Sequence, residues 1–98
     1  GVPVEEIQQG IKHGVRKVNI DTDLRLASTA SIRKFLADNP AEFDPRKYLA
    51  VSQKAMRDVV IARYEAFGTS GNADKIQAKS LESMFIQYAA GELAPMIA

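Results

Sequence analysis

Apolar side chains recur along this chain at three- and four-residue spacing, interrupted once by a short stretch of strict alternation. Val4, Ile7 and Ile11 fall on one helical face while Glu5, Glu6, Gln8 and Gln9 fall elsewhere, so a first helix is expected from about Val4 to Lys12. Gly10 weakens that helix and Gly14 supplies its stop. In the following run, Val15 to Ile20, Val18 and Ile20 alternate with polar neighbours, which predicts the one strand of the chain. A single strand cannot satisfy its own backbone donors and acceptors, so it needs a partner outside these residues. Asp21-Thr22-Asp23 then offers helix-capping residue types ahead of a second helix through Leu24, Ala27, Ser31, Ile32, Phe35 and Leu36, ending near Asn39-Pro40. Asp44 as N-cap and Pro45 at the first helical position start the third and longest helix. Leu49, Met56, Val59, Val60, Arg63 and Phe67 map its inner face, and Gly68 closes it. After a polar loop over 69–74, Ser80 caps a short amphipathic helix with Leu81, Met84, Phe85 and Tyr88 on one side, stopped by Gly91.

The order helix, strand, helix, helix, helix suits an α/β architecture better than a free-standing domain. It fits the C-terminal portion of a (β/α)8 barrel: a last helix–strand–helix over 1–39, then a helical C-terminal extension over 40–98. Taken as an isolated segment, the chain is expected to be mostly α-helical. In such barrels the polar residues at the carboxyl end of each strand line the active site, and Asn19 to Asp23 occupy that end.

Composition narrows the partners more than it narrows the fold. Thirteen basic and 12 acidic residues leave a net charge of +1, without the dominant basic patch of a nucleic-acid binder. No apolar run approaches the roughly 20 residues needed to cross a bilayer, and the acidic, polar start is unlike a secretory leader. Cysteine is absent, which rules out a disulfide or thiolate–metal site within these residues and fits a cytoplasmic setting. A start at Gly1, with 98 residues in all, suits a fragment of a longer protein.

Two places could carry chemistry. Asn19 and Asp21 share one face of the strand end, and the backbone N–H groups that follow open a helix, whose start attracts phosphate. The Thr22 hydroxyl adds a donor there; the competing reading is that Asp-Thr-Asp is a redundant cap. Arg46 lies in the first turn of the third helix, where a cation is disfavoured by about 0.3–1 kcal/mol, with Lys47 beside it. That placement makes sense if an anion docks, and otherwise describes a solvated basic pair. His13, the lone histidine, sits at a helix end without companions and is read as structural, so no metal ligand is assigned in this segment. Arg16, Lys17, Arg25, Arg33 and Lys34 read as solvated charge, and the Met and aromatic stripe at 56, 67, 84, 85 and 88 as core or as a surface for absent neighbours.

The string Gly-Val-Arg-Lys-Val-Asn-Ile-Asp-Thr-Asp at 14–23, with Phe-Asp-Pro-Arg-Lys-Tyr-Leu at 43–49, resembles class II fructose-bisphosphate aldolases. The opening Gly-Val-Pro-Val-Glu-Glu-Ile and the tail from Ser80 to Leu93 resemble the Calvin-cycle subtype. The resemblance spans the whole chain but only the C-terminal part of a family member. It implies a cytoplasmic (β/α)8-barrel lyase of glycolysis, gluconeogenesis or carbon fixation. Such an enzyme interconverts fructose 1,6-bisphosphate with dihydroxyacetone phosphate and glyceraldehyde 3-phosphate. A divalent metal, usually Zn2+, stabilises the enediolate, a monovalent cation can assist, and the enzyme works as a homo-oligomer, dimer or larger. By the same resemblance, Asn19 acts catalytically on the dihydroxyacetone moiety and Asp21 and Thr22 lie at its phosphate. Arg46 reaches the far phosphate from a neighbouring subunit, for which a bidentate guanidinium suits better than lysine. The family's zinc-binding histidines, catalytic acid/base carboxylate and glycine- and serine-containing loop lie upstream, so the segment alone is expected to be inactive. Two alternatives are an aldolase for another ketose bisphosphate (sedoheptulose or tagatose) and a non-catalytic helical interaction module.

Overall fold

A computed structural model describes residues 1–92, which form four α-helices and one 3-10 turn. Helix α1 spans Val4–Lys12, α2 Thr22–Asp38, α3 Pro45–Ala66 and α4 Leu81–Ala89, with the 3-10 turn at Ala73–Lys75 inside the loop before α4. The helices begin and end where local chemistry directs. Asp44 caps α3 by accepting from the Arg46 backbone N–H at 3.0 Å, with Pro45 behind it. Ser80 caps α4 through the Ser83 N–H at 3.1 Å. Glu5 and Glu6 in the first turn and Lys12 in the last complement the dipole of α1. Beyond α1, Gly14 takes a φ of 107° and turns the chain back, so that the Val15 N–H reaches the Gly10 carbonyl at 3.0 Å. Val15 then lies against Gly10 closely enough that a Cβ there would sit 3.3 Å from a Val15 methyl. The glycine that weakens α1 is also the one that lets the chain fold back over it.

The expected strand does not form among the described residues: 15–21 have no regular secondary structure. The reason is the pairing argument itself, since ladder hydrogen bonds need a second strand and these residues supply none. The alternation survives as exposure, with Val18 and Ile20 half-buried and Asn19 and Asp21 exposed. The helical character of the segment agrees with expectation. The last six residues of the proposed 40–98 extension, Leu93 of the tail among them, lie outside the described residues.

Helices α2 and α3 form an antiparallel hairpin joined by the turn at 39–44, and α1 packs on the far part of α3. On α2, Leu24, Ala27, Ser31, Ile32, Phe35 and Leu36 all turn inward to half-burial, as their spacing predicts. On α3 the prediction holds for Met56, Val59, Val60, Arg63 and Phe67 but fails at Leu49, which is 54% exposed on the outer side. A polar contact joins the two helices: Ser28 Oγ and Ser52 Oγ lie 2.6 Å apart, and Ser52 is the single buried residue among those described. Small serines allow that approach, and their mutual hydrogen bond satisfies both hydroxyls.

No apolar side chain is buried among the described residues, so the Met and aromatic stripe does not build a core within them. Surface area agrees: 8339 Å2 is accessible, against about 5,500 Å2 expected of a compact monomer of this mass. The radius of gyration is 19.7 Å, where about 13 Å would describe a compact domain. Helix α4 shows why, with Leu81, Phe85 and Tyr88 turned to solvent.

Candidate functional site

The carboxyl end of the 15–21 segment and the start of α2 border an open concavity of about 490 Å3. Asn19, Asp21 and Thr22 all line it, joined by Lys17, Asp23 and Arg63. Three of the four residues singled out from the sequence are thus brought to one place. Asn19 Oδ1 accepts a hydrogen bond from the Lys17 ammonium, two residues back along the extended chain. Lys17, read from the sequence as solvated charge, therefore stands at the site.

Asp21 occupies the N-cap position of α2, but its side chain does not cap. Its carboxylate instead accepts from Arg25 Nε at 2.9 Å, an exposed pair one turn apart. The redundant-cap reading of Asp-Thr-Asp is therefore not realised: no side chain caps the start of α2. An uncapped helix start presents backbone donors and the positive end of the dipole to whatever enters the concavity. That is the local chemistry of an anion site, and Arg25 offsets the Asp21 charge that would otherwise repel such an anion.

Asp23, two residues further, faces α3. Its Oδ2 accepts from Arg63 Nη2 at 3.3 Å.

Arg46 lies elsewhere. It starts α3, whereas Arg63 near the end of that helix stands at the concavity. From Arg46 to Arg63 along the helix axis is roughly 25 Å at about 1.5 Å per residue. Within one chain, Arg46 and Asn19 therefore cannot grip one small ligand. Arg46 is 90% exposed, and the guanidinium donates to Asp44 through Nε, at 3.1 Å to each oxygen, and through Nη2 at 2.7 Å. That contact holds Asp44 below the usual carboxylate range and Arg46 above its already high value. Lys47 pairs with Glu42 at 3.1 Å, so both basic residues of this turn are held by local carboxylates.

Among the described residues no group of three His, Asp or Glu side chains is placed to hold a metal ion. His13 occupies the C-cap position of α1 and does not line the concavity. The donor set among the described residues does not fit a resident divalent metal.

Residues 1–72 match the family described as fructose-bisphosphate aldolase class-II. The chain is 73% identical over 97 residues to a fructose-bisphosphate aldolase of Stutzerimonas stutzeri and 71% identical over 97 residues to that of Pseudomonas aeruginosa. Each alignment covers 99% of this chain and 27% of the relative, so the chain spans about a quarter of those proteins' length. A third relative, fructose-bisphosphate aldolase 2 of Rhodobacter capsulatus, is 57% identical over 95 residues, covering 97% of this chain and 83% of that protein.

Proposed function

Because the chain belongs to the class II fructose-bisphosphate aldolase family, we propose that it is the substrate-gripping C-terminal part of such an enzyme. The reaction is the reversible cleavage of fructose 1,6-bisphosphate to dihydroxyacetone phosphate and glyceraldehyde 3-phosphate. Asn19 hydrogen-bonds the dihydroxyacetone moiety. Thr22 and the uncapped start of α2 take its phosphate, with Asp21 turned aside by Arg25. One observation carries this reading: Asn19, Asp21 and Thr22 line a single concavity at a helix start that no side chain caps. The absence of any buried apolar side chain among the described residues supports the companion claim that the rest of the protein, a (β/α)8 barrel, covers the apolar faces and completes the site. Pairing with a neighbouring barrel strand would give 15–20 the ladder it lacks here.

Arg46 serves a second site. Its distance from Asn19 and its exposure support a role on the far phosphate of substrate bound to a neighbouring subunit, which requires a homo-oligomer, dimer or larger. The Lewis acid, which we take to be Zn2+, and the proton-transferring carboxylate belong to other parts of the protein, as does any monovalent cation site. A cytoplasmic enzyme of glycolysis, gluconeogenesis or the Calvin cycle fits this chemistry, and no helix among the described residues is long and apolar enough to cross a membrane. The test is turnover by the full-length protein with fructose, sedoheptulose and tagatose bisphosphates, before and after zinc chelation. Zinc-dependent cleavage fastest with the fructose ester supports the assignment. Preference for either other sugar would redirect it, and no cleavage of any would leave a helical interaction module as the better account.

A further inference from the structure

Among the described residues the ion pairs between side chains are mostly local. Arg25–Asp21, Lys34–Asp38 and Lys54–Asp58 link residues one turn apart, and Arg46–Asp44 and Lys47–Glu42 stay within the turn that opens α3. Arg63–Asp23 differs. It joins α3 to the first turn of α2 across 40 residues of sequence, and its side chains are only 23% and 26% exposed. An arginine on the inner face of a helix gives up apolar contact that Leu or Val would make, so its charge needs a reason. Its position supplies one: Arg63 lines the same concavity as Asn19 and Thr22, and its partner directly follows Thr22 in the chain.

We propose that Arg63 is a positioning residue for the aldol reaction. It latches the first turn of α2 to α3 and thereby holds Asn19 and the Thr22 donors in register with the sugar phosphate. This rests on the functional reading above. The argument is geometric. Asn19 stands at the carboxyl end of the 15–20 segment, where pairing with a neighbouring barrel strand runs out, so its orientation also depends on what anchors the chain on either side. Upstream the anchor is the Gly10–Val15 contact; downstream it is Asp23. A displacement of about 1 Å at a reacting group can cost on the order of a hundredfold in rate, so a latch four residues from Asn19 suffices to govern turnover. The same latch fixes the start of α2 against the helix that carries Arg46, so one rigid element sets the placement of both substrate contacts.

The experiment uses the full-length enzyme with Arg63→Gln, Arg63→Lys and Asp23→Asn, singly, and with Arg63→Gln combined with Asp23→Asn. Rates are referred to folded, zinc-loaded protein, and melting temperature is recorded for each variant. The latch predicts that Arg63→Gln lowers kcat by about ten- to hundredfold while KM for fructose 1,6-bisphosphate changes by less than about threefold. Arg63→Lys recovers part of the loss, and the double variant is little worse than either single one. A tie that merely stabilises the hairpin would lower the melting temperature and leave kcat per folded enzyme intact. That outcome, additive losses in the double variant, or no recovery with Lys would each overturn the latch. Should Arg63→Gln fail to fold, Asp23→Asn carries the same kcat prediction with Arg63 in place. Wild-type enzyme that does not cleave the substrate would overturn the functional reading and the latch with it, whereas active wild type with an unaffected Arg63→Gln overturns the latch alone.

Discussion

The two ends of the α2–α3 hairpin are built on opposite plans. At the turn end, residues 42–47 are locally complete. Glu42 accepts from the Phe43 and Asp44 N–H groups, Asp44 caps α3 and grips Arg46, and Lys47 returns to Glu42. At the mouth, residues 17–23 have an uncapped helix start and no regular structure before it, and their tie to α3 is Arg63. The turn end is finished by its own residues and leaves Arg46 exposed and paired to Asp44. The mouth leaves a helix start without a side-chain cap and depends on contacts from farther along the chain.

Substitutions in the full-length enzyme would tell the two ends apart. Asn19→Ala is expected to have the largest effect, lowering kcat for fructose 1,6-bisphosphate by about a hundredfold or more, as removal of a transition-state donor does. Unchanged steady-state kinetics would mean the mouth is not a reaction site. Arg46→Ala should follow, with KM rising by about ten- to hundredfold and kcat less affected. If the two ends serve different subunits, mixing the Asn19→Ala and Arg46→Ala proteins under conditions of subunit exchange restores measurable turnover. No recovery in exchanged oligomers would count against a shared site.

Asp44→Ala should fall next, with a KM rise smaller than that of Arg46→Ala, roughly threefold, since the guanidinium keeps its charge but loses its orientation. The turn end should also respond to acid. The Glu42 carboxyl is held below its ordinary range, by the Asp44 N–H first and then by Lys47, and that of Asp44 by Arg46. Carboxyls whose pKa falls on folding contribute stability that is present above the ordinary carboxylate range and lost as pH drops through the folded value. The turn should therefore stay intact near neutrality and loosen only below about pH 4. Amide chemical shifts of Phe43 and Asp44 followed through a titration would report it; a midpoint at or above the ordinary range would contradict it. The smallest effect belongs to Gly10→Ala. A gain in helix propensity of up to about 1 kcal/mol is offset by crowding against Val15, so stability measured by denaturant should move little.

Legibility in the sequence follows the same division. The caps at Asp44 and Ser80, the stops at Gly14, Gly68 and Gly91 and the inner face of α2 depend on neighbours within a turn or so, and the residue pattern reveals them. The strand, the stripe on α4 and Leu49 depend on surfaces that local pattern does not describe. Asp21 is a cap by residue type, yet Arg25 one turn on outcompetes the backbone for its carboxylate. Asn19, Asp21 and Thr22 can be placed together because they are close in sequence. Arg63 is legible only as an inner-face position. The signal that could reveal more is a charge amid apolar spacing, which asks for an acidic partner across the interface.

Ser52 carries a last consequence. It is buried between α2 and α3 with its hydroxyl 2.6 Å from that of Ser28, so a Leu or Phe there would meet α2 and force the two helices apart. Because Arg46 and Arg63 both ride on α3, a single bulky residue far from any substrate would disturb the placement of both at once.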